Sequence, residues 1–262
     1  MNVGSLCDDL LAERADLVEL LAPLNEGRWH TPTPAPGWSV LDQVTHLAWF
    51  DDAARQAMLE PELFLPTRVV ALADVDGYVD RVTQANRHLA GGQVVEWLER
   101  AGEQLVEAAR PVDGKVRVPW YGPDMSLASM ITSRIMETWA HGQDVVDALG
   151  VIRQPTDRLR HVAFLGARAL PNSYVAQGRP VPEQPVRVEL VGPRGDTWTF
   201  GPDDAVDVVR GPALDFCLVT TQRRHVADSA LVAEGPVATE WLGIAQAFAG
   251  PPGAGREPGQ FS

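Results

Sequence analysis

Lysine is almost missing from this chain: it occurs once, at Lys115, against 21 arginines. With abundant Ala, Gly and Pro, that bias looks like GC-rich coding and says nothing about the fold. Positive charge is scarce overall, with 22 basic residues against 35 acidic ones and a net charge of −13. The longest basic cluster, Arg223–Arg224–His225, is too small to track a phosphate backbone, which argues against a nucleic-acid partner. Cysteine occurs only at Cys7 and Cys217. Neither lies in a CxxC or another metal-ligand spacing, so both read as isolated thiols of a reducing compartment. No apolar run approaches the length of about 20 that spans a bilayer. The N-terminal stretch MNVGSLCDDLLAERADL has acidic residues where a secretory signal has positive charge and an apolar run. A cytoplasmic location without a membrane partner is the expectation. Also missing are GxSxG, P-loop, strand-borne GxGxxG, HExxH and EF-hand patterns, and the chemistries they carry.

What is present is an ordinary globular composition, 45% hydrophobic and 22% charged in 262 residues, enough for one large domain or two modest ones. Residues 1–150 read as helices between Pro- and Gly-rich breaks. Ser5 to Leu24 has leucines mostly at helical spacing. The segment 29–38, WHTPTPAPGW, is too rich in proline for a helix or central strand. Ser39 then caps a second helix, with Asp42 three residues on as a weaker capping box. A third helix is expected from about Asp76 to Ala109, with a possible break near Gly91–Gly92, and a fourth over the stretch ending RIMETWAHGQDVVDALG. Together these suggest a bundle. Beyond residue 150 the pattern changes. A helix over about Thr156 to Leu170 leads into a linker, Pro171 to Pro185. Strands follow at VRVELVG and TWTFG, joined by a turn through Pro193–Asp196, and a further strand at VDVVRG. Helices are expected over Ala213 to Thr221 and Val237 to Ala249. The expected division is a helical bundle over 1–150, helix and linker over 151–184, a small α+β domain over 185–250 and a frayed tail over 251–262. The fold class is mainly α plus α+β.

In the fourth helix, Glu137 and His141 project about 40° apart, one turn above the other, beside the apolar stripe. A Glu/His pair at this spacing suits a single metal ion, and His46 on the second helix is the best third ligand. A His2Glu set leaves a position open on Zn²⁺ and accepts Ni²⁺, Co²⁺ or Fe²⁺ as well. On spacing alone, such a pair is more commonly a simple hydrogen-bonded or surface pair. Asp144, one turn beyond His141, reads equally as an orienting carboxylate or a plain salt link. Trp120–Tyr121 reads as a packed aromatic loop in preference to a pocket wall.

Trp29, Thr33, Pro36, Gly37, Trp38, Ser39, Val40, Asp42, His46 and Leu47, followed by Glu137 and His141, resemble the DinB-like metal-binding bundle of the mycothiol-dependent maleylpyruvate isomerase family. GPALDFCLVTTQRR, residues 211 to 224, resembles that family's small C-terminal domain. The resemblance implies a divalent metal held by His46, Glu137 and His141, with an arginine of the C-terminal domain near it, for which Arg223 fits by motif. Gln222 departs from the glycine that commonly precedes that arginine. It also implies a low-molecular-weight thiol, mycothiol or a similar one, adding to a small electrophile in an isomerase or S-transferase reaction. The alternatives are a metal-dependent hydrolase and a non-catalytic metal- or small-molecule-binding protein. A monomer or homodimer fits either.

Overall fold

Short polar side chains start the helices that matter most. Asn2 accepts from the Gly4 amide and caps α1 (Val3–Leu21), and Asn25 accepts from the Arg28 amide to cap α2 (Glu26–Trp29). Ser39 and Asp42 form a full capping box at the start of α3 (Val40–Leu59). The computed structural model describes residues 2–261, and they divide into two compact units at Arg153/Gln154. The first unit continues with α4 (Pro61–Ala73), α5 (Val75–Ala85), α6 (Gly91–Ala109), the two-residue strands β1 (Arg117–Val118) and β2 (Met125–Ser126), and α7 (Leu127–Leu149). Gly150, left-handed at φ 66°, ends α7.

In this unit α3 packs on α6 and α7, while α1 packs on α7 and α6, closing a four-helix bundle with α4 and α5 laid against α3. Its apolar core falls into two clusters. One holds Leu6, Leu10, Ala54, Ile131 and Ile135; the other holds Leu17, Leu21, Val44, Leu98 and Val145. Between Leu10 and Leu17 on α1 lie Glu13 and Arg14, both buried. Arg14 pairs with Asp51 of α3, and Asp51 accepts from Arg134 Nε of α7 at 2.9 Å. A charged layer thus crosses the bundle, satisfying the rule that buried ions are paired.

The third helical stretch, expected over about Asp76 to Ala109 with a break near Gly91–Gly92, is divided into α5 and α6, because the chain turns through 86–90 before Gly91. Gly91 lies in the first turn of α6, where an added Cβ would stand 2.1 Å from the Trp29 ring. Its role is close packing, and the break precedes it. Helix α4 was not anticipated. Its Pro61 sits at the first turn, where a missing amide costs nothing, although Pro66 lies inside it.

The second unit contains α8 (Leu159–Arg168), α9 (Leu170–Ala176), β3 (Val186–Val191), β4 (Thr197–Phe200), β5 (Asp207–Pro212), α10 (Ala213–Thr220), β6 (Val232–Glu234) and α11 (Pro236–Leu242). The sheet order is β4-β3-β5-β6. Leu190 faces Trp198 in the antiparallel β3–β4 hairpin, whereas Val188 faces Val209 in the parallel β3–β5 pair. Helix α10 packs on α8 and on the sheet. The Pro171–Pro185 stretch, expected as linker, begins inside α9, with Pro171 in its first turn. Helix α11 stops at Leu242 well short of Ala249, and Gln246 Nε2 donates to the Phe248 and Gly250 carbonyls. Within the stretch expected as a tail, two contacts reach back to the rest of the unit. The Gly259 amide donates to Asp228 at 2.9 Å, and the Arg224 guanidinium lies 4.8 Å from the Phe261 ring centre. Among the described residues, no helix is long and apolar enough to cross a membrane.

Candidate metal centre

The Pro-rich loop before α3 fixes where that helix begins. Gly37 takes φ 80°, Pro32 bridges to Ser39, and the Thr33 amide donates to the Trp38 carbonyl at 2.8 Å. From the Ser39 cap, Gln43, His46 and Phe50 follow at helical spacing along α3. Glu137 and His141 come from consecutive turns of α7, whose contact with α3 brings the two segments together.

One oxygen of Glu137 sits between two imidazoles. Glu137 Oε2 is 3.2 Å from His141 Nε2 and 3.5 Å from His46 Nε2. The three ligand-type atoms all lie within 4.8 Å of one another. Tetrahedral zinc with bonds near 2.0–2.1 Å places its ligand atoms about 3.3 Å apart, so both measured separations fit one ion. The other ring nitrogens point away. His141 Nδ1 is 2.5 Å from Gln43 Oε1, and His46 Nδ1 is buried with no hydrogen-bond partner. Burial, then the neighbouring His141, pushes the His46 pKa down to about 3 against the pull of Glu137. Burial would raise the Glu137 pKa, but hydrogen bonds from His141 and His46 outweigh it and hold the carboxyl well below its usual range. Two imidazoles converging on a carboxylate are a donor set suited to a divalent cation.

Aromatic rings wall this centre. The Trp38 ring stacks against His141 with centres 5.9 Å apart, and Phe50 lies 4.5 Å from the His46 ring. Beyond Phe50 come Tyr121 and Trp120, with Phe64 stacked on Trp120 at 5.9 Å. Trp120–Tyr121 is accordingly a packed aromatic loop.

Of the residues singled out in the sequence, His46, Glu137 and His141 come together. Asp144 is buried on α7 and lies outside that three-residue cluster. Arg223 belongs to the second unit, just past α10, with Nη1 donating to the Thr221 carbonyl at 2.7 Å. Gln222 before it adopts φ 60°, the conformation a glycine would supply. The Gln222 amide donates to Val219 and the Arg223 amide to Leu218, which is a Schellman cap with Gln222 at its left-handed position. Gln43 went unnoticed in the sequence. Its signal was weak: a buried amide one turn before His46.

Residues 10–146 match the sequence model described as the mycothiol maleylpyruvate isomerase N-terminal domain. Residues 182–234 match a different model, described as wyosine base formation, so the second unit carries a likeness the sequence reading had not foreseen. Two uncharacterized proteins of Mycobacterium tuberculosis, from strains CDC 1551 / Oshkosh and ATCC 25618 / H37Rv, are each 44% identical over 97% of this chain and 98% of their own length. Among solved structures, the mycothiol-dependent maleylpyruvate isomerase superposes with a TM-score of 0.58 at 15% identity. A histidine-to-alanine mutant of it gives 0.60 at 14%, and both matches cover 90% of this chain and 95% of the other. At such identities the likeness is one of fold.

Proposed function

This chain belongs to the mycothiol maleylpyruvate isomerase family, and from that membership we propose that it is a divalent-metal-dependent enzyme that uses a low-molecular-weight thiol, mycothiol or a close analogue, against a small electrophile. The observation that carries this reading is the convergence of His46 Nε2, His141 Nε2 and Glu137 Oε2. Zinc suits the donor set best, with nickel, cobalt and iron as acceptable substitutes. A free thiol has a pKa of about 8.5, and a divalent ion held here supplies the Lewis acidity that makes it a thiolate at neutral pH. The protein's own contribution is to hold three ligands on two packed helices and to leave the remaining positions open. Trp38 and Phe50 line the histidines with apolar surface, which keeps water from competing with the thiol.

Addition of the thiolate to a conjugated carbon, rotation and expulsion of the thiol isomerise the substrate; if the thiol stays, the product is a conjugate. Arg223 is proposed to recognise a carboxylate of thiol or substrate through its two-pronged donor face. Asp144 is proposed to support the turn of α7 that carries His141, without touching the ion.

The test is metal content and turnover. Purified protein should contain about one divalent ion per chain, and the His46→Ala, His141→Ala double variant should lose it. Stoichiometric metal in that variant overturns the assignment. Substrate loss that needs no thiol would point to a hydrolase.

A further inference from the structure

Gln43 is fully buried between the Pro-rich loop and His141, and each of its side-chain polar atoms has one partner there. Its Nε2 lies 2.8 Å from Thr33 Oγ1, and its Oε1 lies 2.5 Å from His141 Nδ1. Thr33 Oγ1 in turn lies 2.9 Å from the Trp38 carbonyl oxygen. A carbonyl oxygen only accepts, so this end fixes the direction of the whole chain. The Thr33 hydroxyl spends its one proton on Trp38 and can only accept from Gln43. Gln43 therefore turns its amide nitrogen toward Thr33 and its oxygen toward His141. Facing an oxygen, His141 Nδ1 must be the donor. The flipped amide would set two oxygens against each other at Thr33 or take the threonine proton away from Trp38, and it would face Nδ1 with a donor.

We propose that Gln43 is a positioning residue that keeps a proton on His141 Nδ1, so that Nε2, which donates to Glu137 Oε2 at 3.2 Å while it also carries a proton, is the atom left to ligate when a cation takes that proton's place. Thr33 is the residue that orients Gln43. Ligand histidines are commonly held this way by a partner on the second nitrogen, which sets the ring angle and raises the basicity of the ligating atom. The polarity of the relay stands on the hydrogen bonds alone, whereas its effect on metal affinity rests on the function proposed above.

Two measurements on the full-length chain separate these. Long-range proton–nitrogen NMR of ¹⁵N-histidine-labelled, metal-free protein reads which ring nitrogen of His141 carries a proton, with His141→Ala giving the assignment. Wild type should show Nδ1 protonated, Gln43→Glu should keep that signature because a carboxylate oxygen also accepts, and Gln43→Leu should lose it. Zinc competition against a chromophoric chelator should show affinity falling about 10- to 100-fold in Gln43→Leu and far less in Gln43→Glu. Thr33→Val, a smaller disturbance of packing, should fall between them. An Nδ1 without a proton in wild type, or Gln43→Leu binding zinc as tightly as wild type while folded by circular dichroism, overturns the proposal. Wild type that shows protonated Nδ1 yet takes up no zinc supports the relay and refutes the metal reading.

Discussion

Gln222 pays a conformational penalty that a glycine would not. A left-handed backbone costs a residue with a Cβ about 1–2 kcal/mol, and the side-chain bond from Gln222 Nε2 to the Ala245 carbonyl is long, at 3.4 Å. Gln222→Gly should therefore raise the stability of the second unit by up to about 1 kcal/mol, net of the extra freedom glycine gains when unfolded. Chemical denaturation followed by tryptophan fluorescence checks this, and a loss of stability would mean the amide contact outweighs the strain. The same cap explains why Arg223 needs no preceding glycine to leave α10 where it does. At this scale the sequence was legible where the interaction is local. Ser39 and Asp42 sit three residues apart and could be read as a cap, and the shared face of Glu137 and His141 follows from helical pitch. Gln43 could not be read, because its partner is 98 residues away and its meaning depends on the direction of a hydrogen-bond chain through Thr33.

At the scale of elements, Asp51 ties three helices. It is the carboxylate shared by Arg14 of α1 and Arg134 of α7, all three buried, and Arg134 also donates to the Leu47 carbonyl. Asp51→Ala would leave two buried guanidiniums without a counter-charge. A loss of about 3–5 kcal/mol is expected, the size seen when one partner of a buried pair is removed. Urea titration of the variant would register it as a lower midpoint; a midpoint within experimental scatter of wild type would mean water already solvates this layer. The long helices α1, α3, α6 and α7 were legible because each carries several turns of apolar periodicity. Helices α4 and α9 were not, since their prolines read as breakers although Pro61 and Pro171 stand in first turns.

For the whole molecule, composition led us to expect a change of pattern near residue 150, and the described residues divide into compact units at Arg153/Gln154. The parallel β3–β5 pairing was out of reach, because β4 intervenes and pairs on the other side of β3. His46, Glu137, His141, Gln43 and Thr33 all belong to the first unit. A fragment spanning 1–153 should hence bind about one zinc ion per chain, measurable by the same chelator competition. A fragment that is helical and cooperative in unfolding yet binds none would place an essential ligand in the second unit.

The two helices that carry His46, Glu137 and His141 are the most enclosed of the bundle: fourteen of the twenty residues of α3 are buried, and fifteen of the twenty-three of α7. Amides so enclosed are expected to exchange only when the unit opens as a whole. The nitrogens of His46 and His141 are thus carried on the helices expected to open last. An ion seated there could not escape by fraying of a helix end. It would have to be displaced by an incoming donor reaching the open side, and its off-rate would then rise with the concentration of that competitor instead of staying constant.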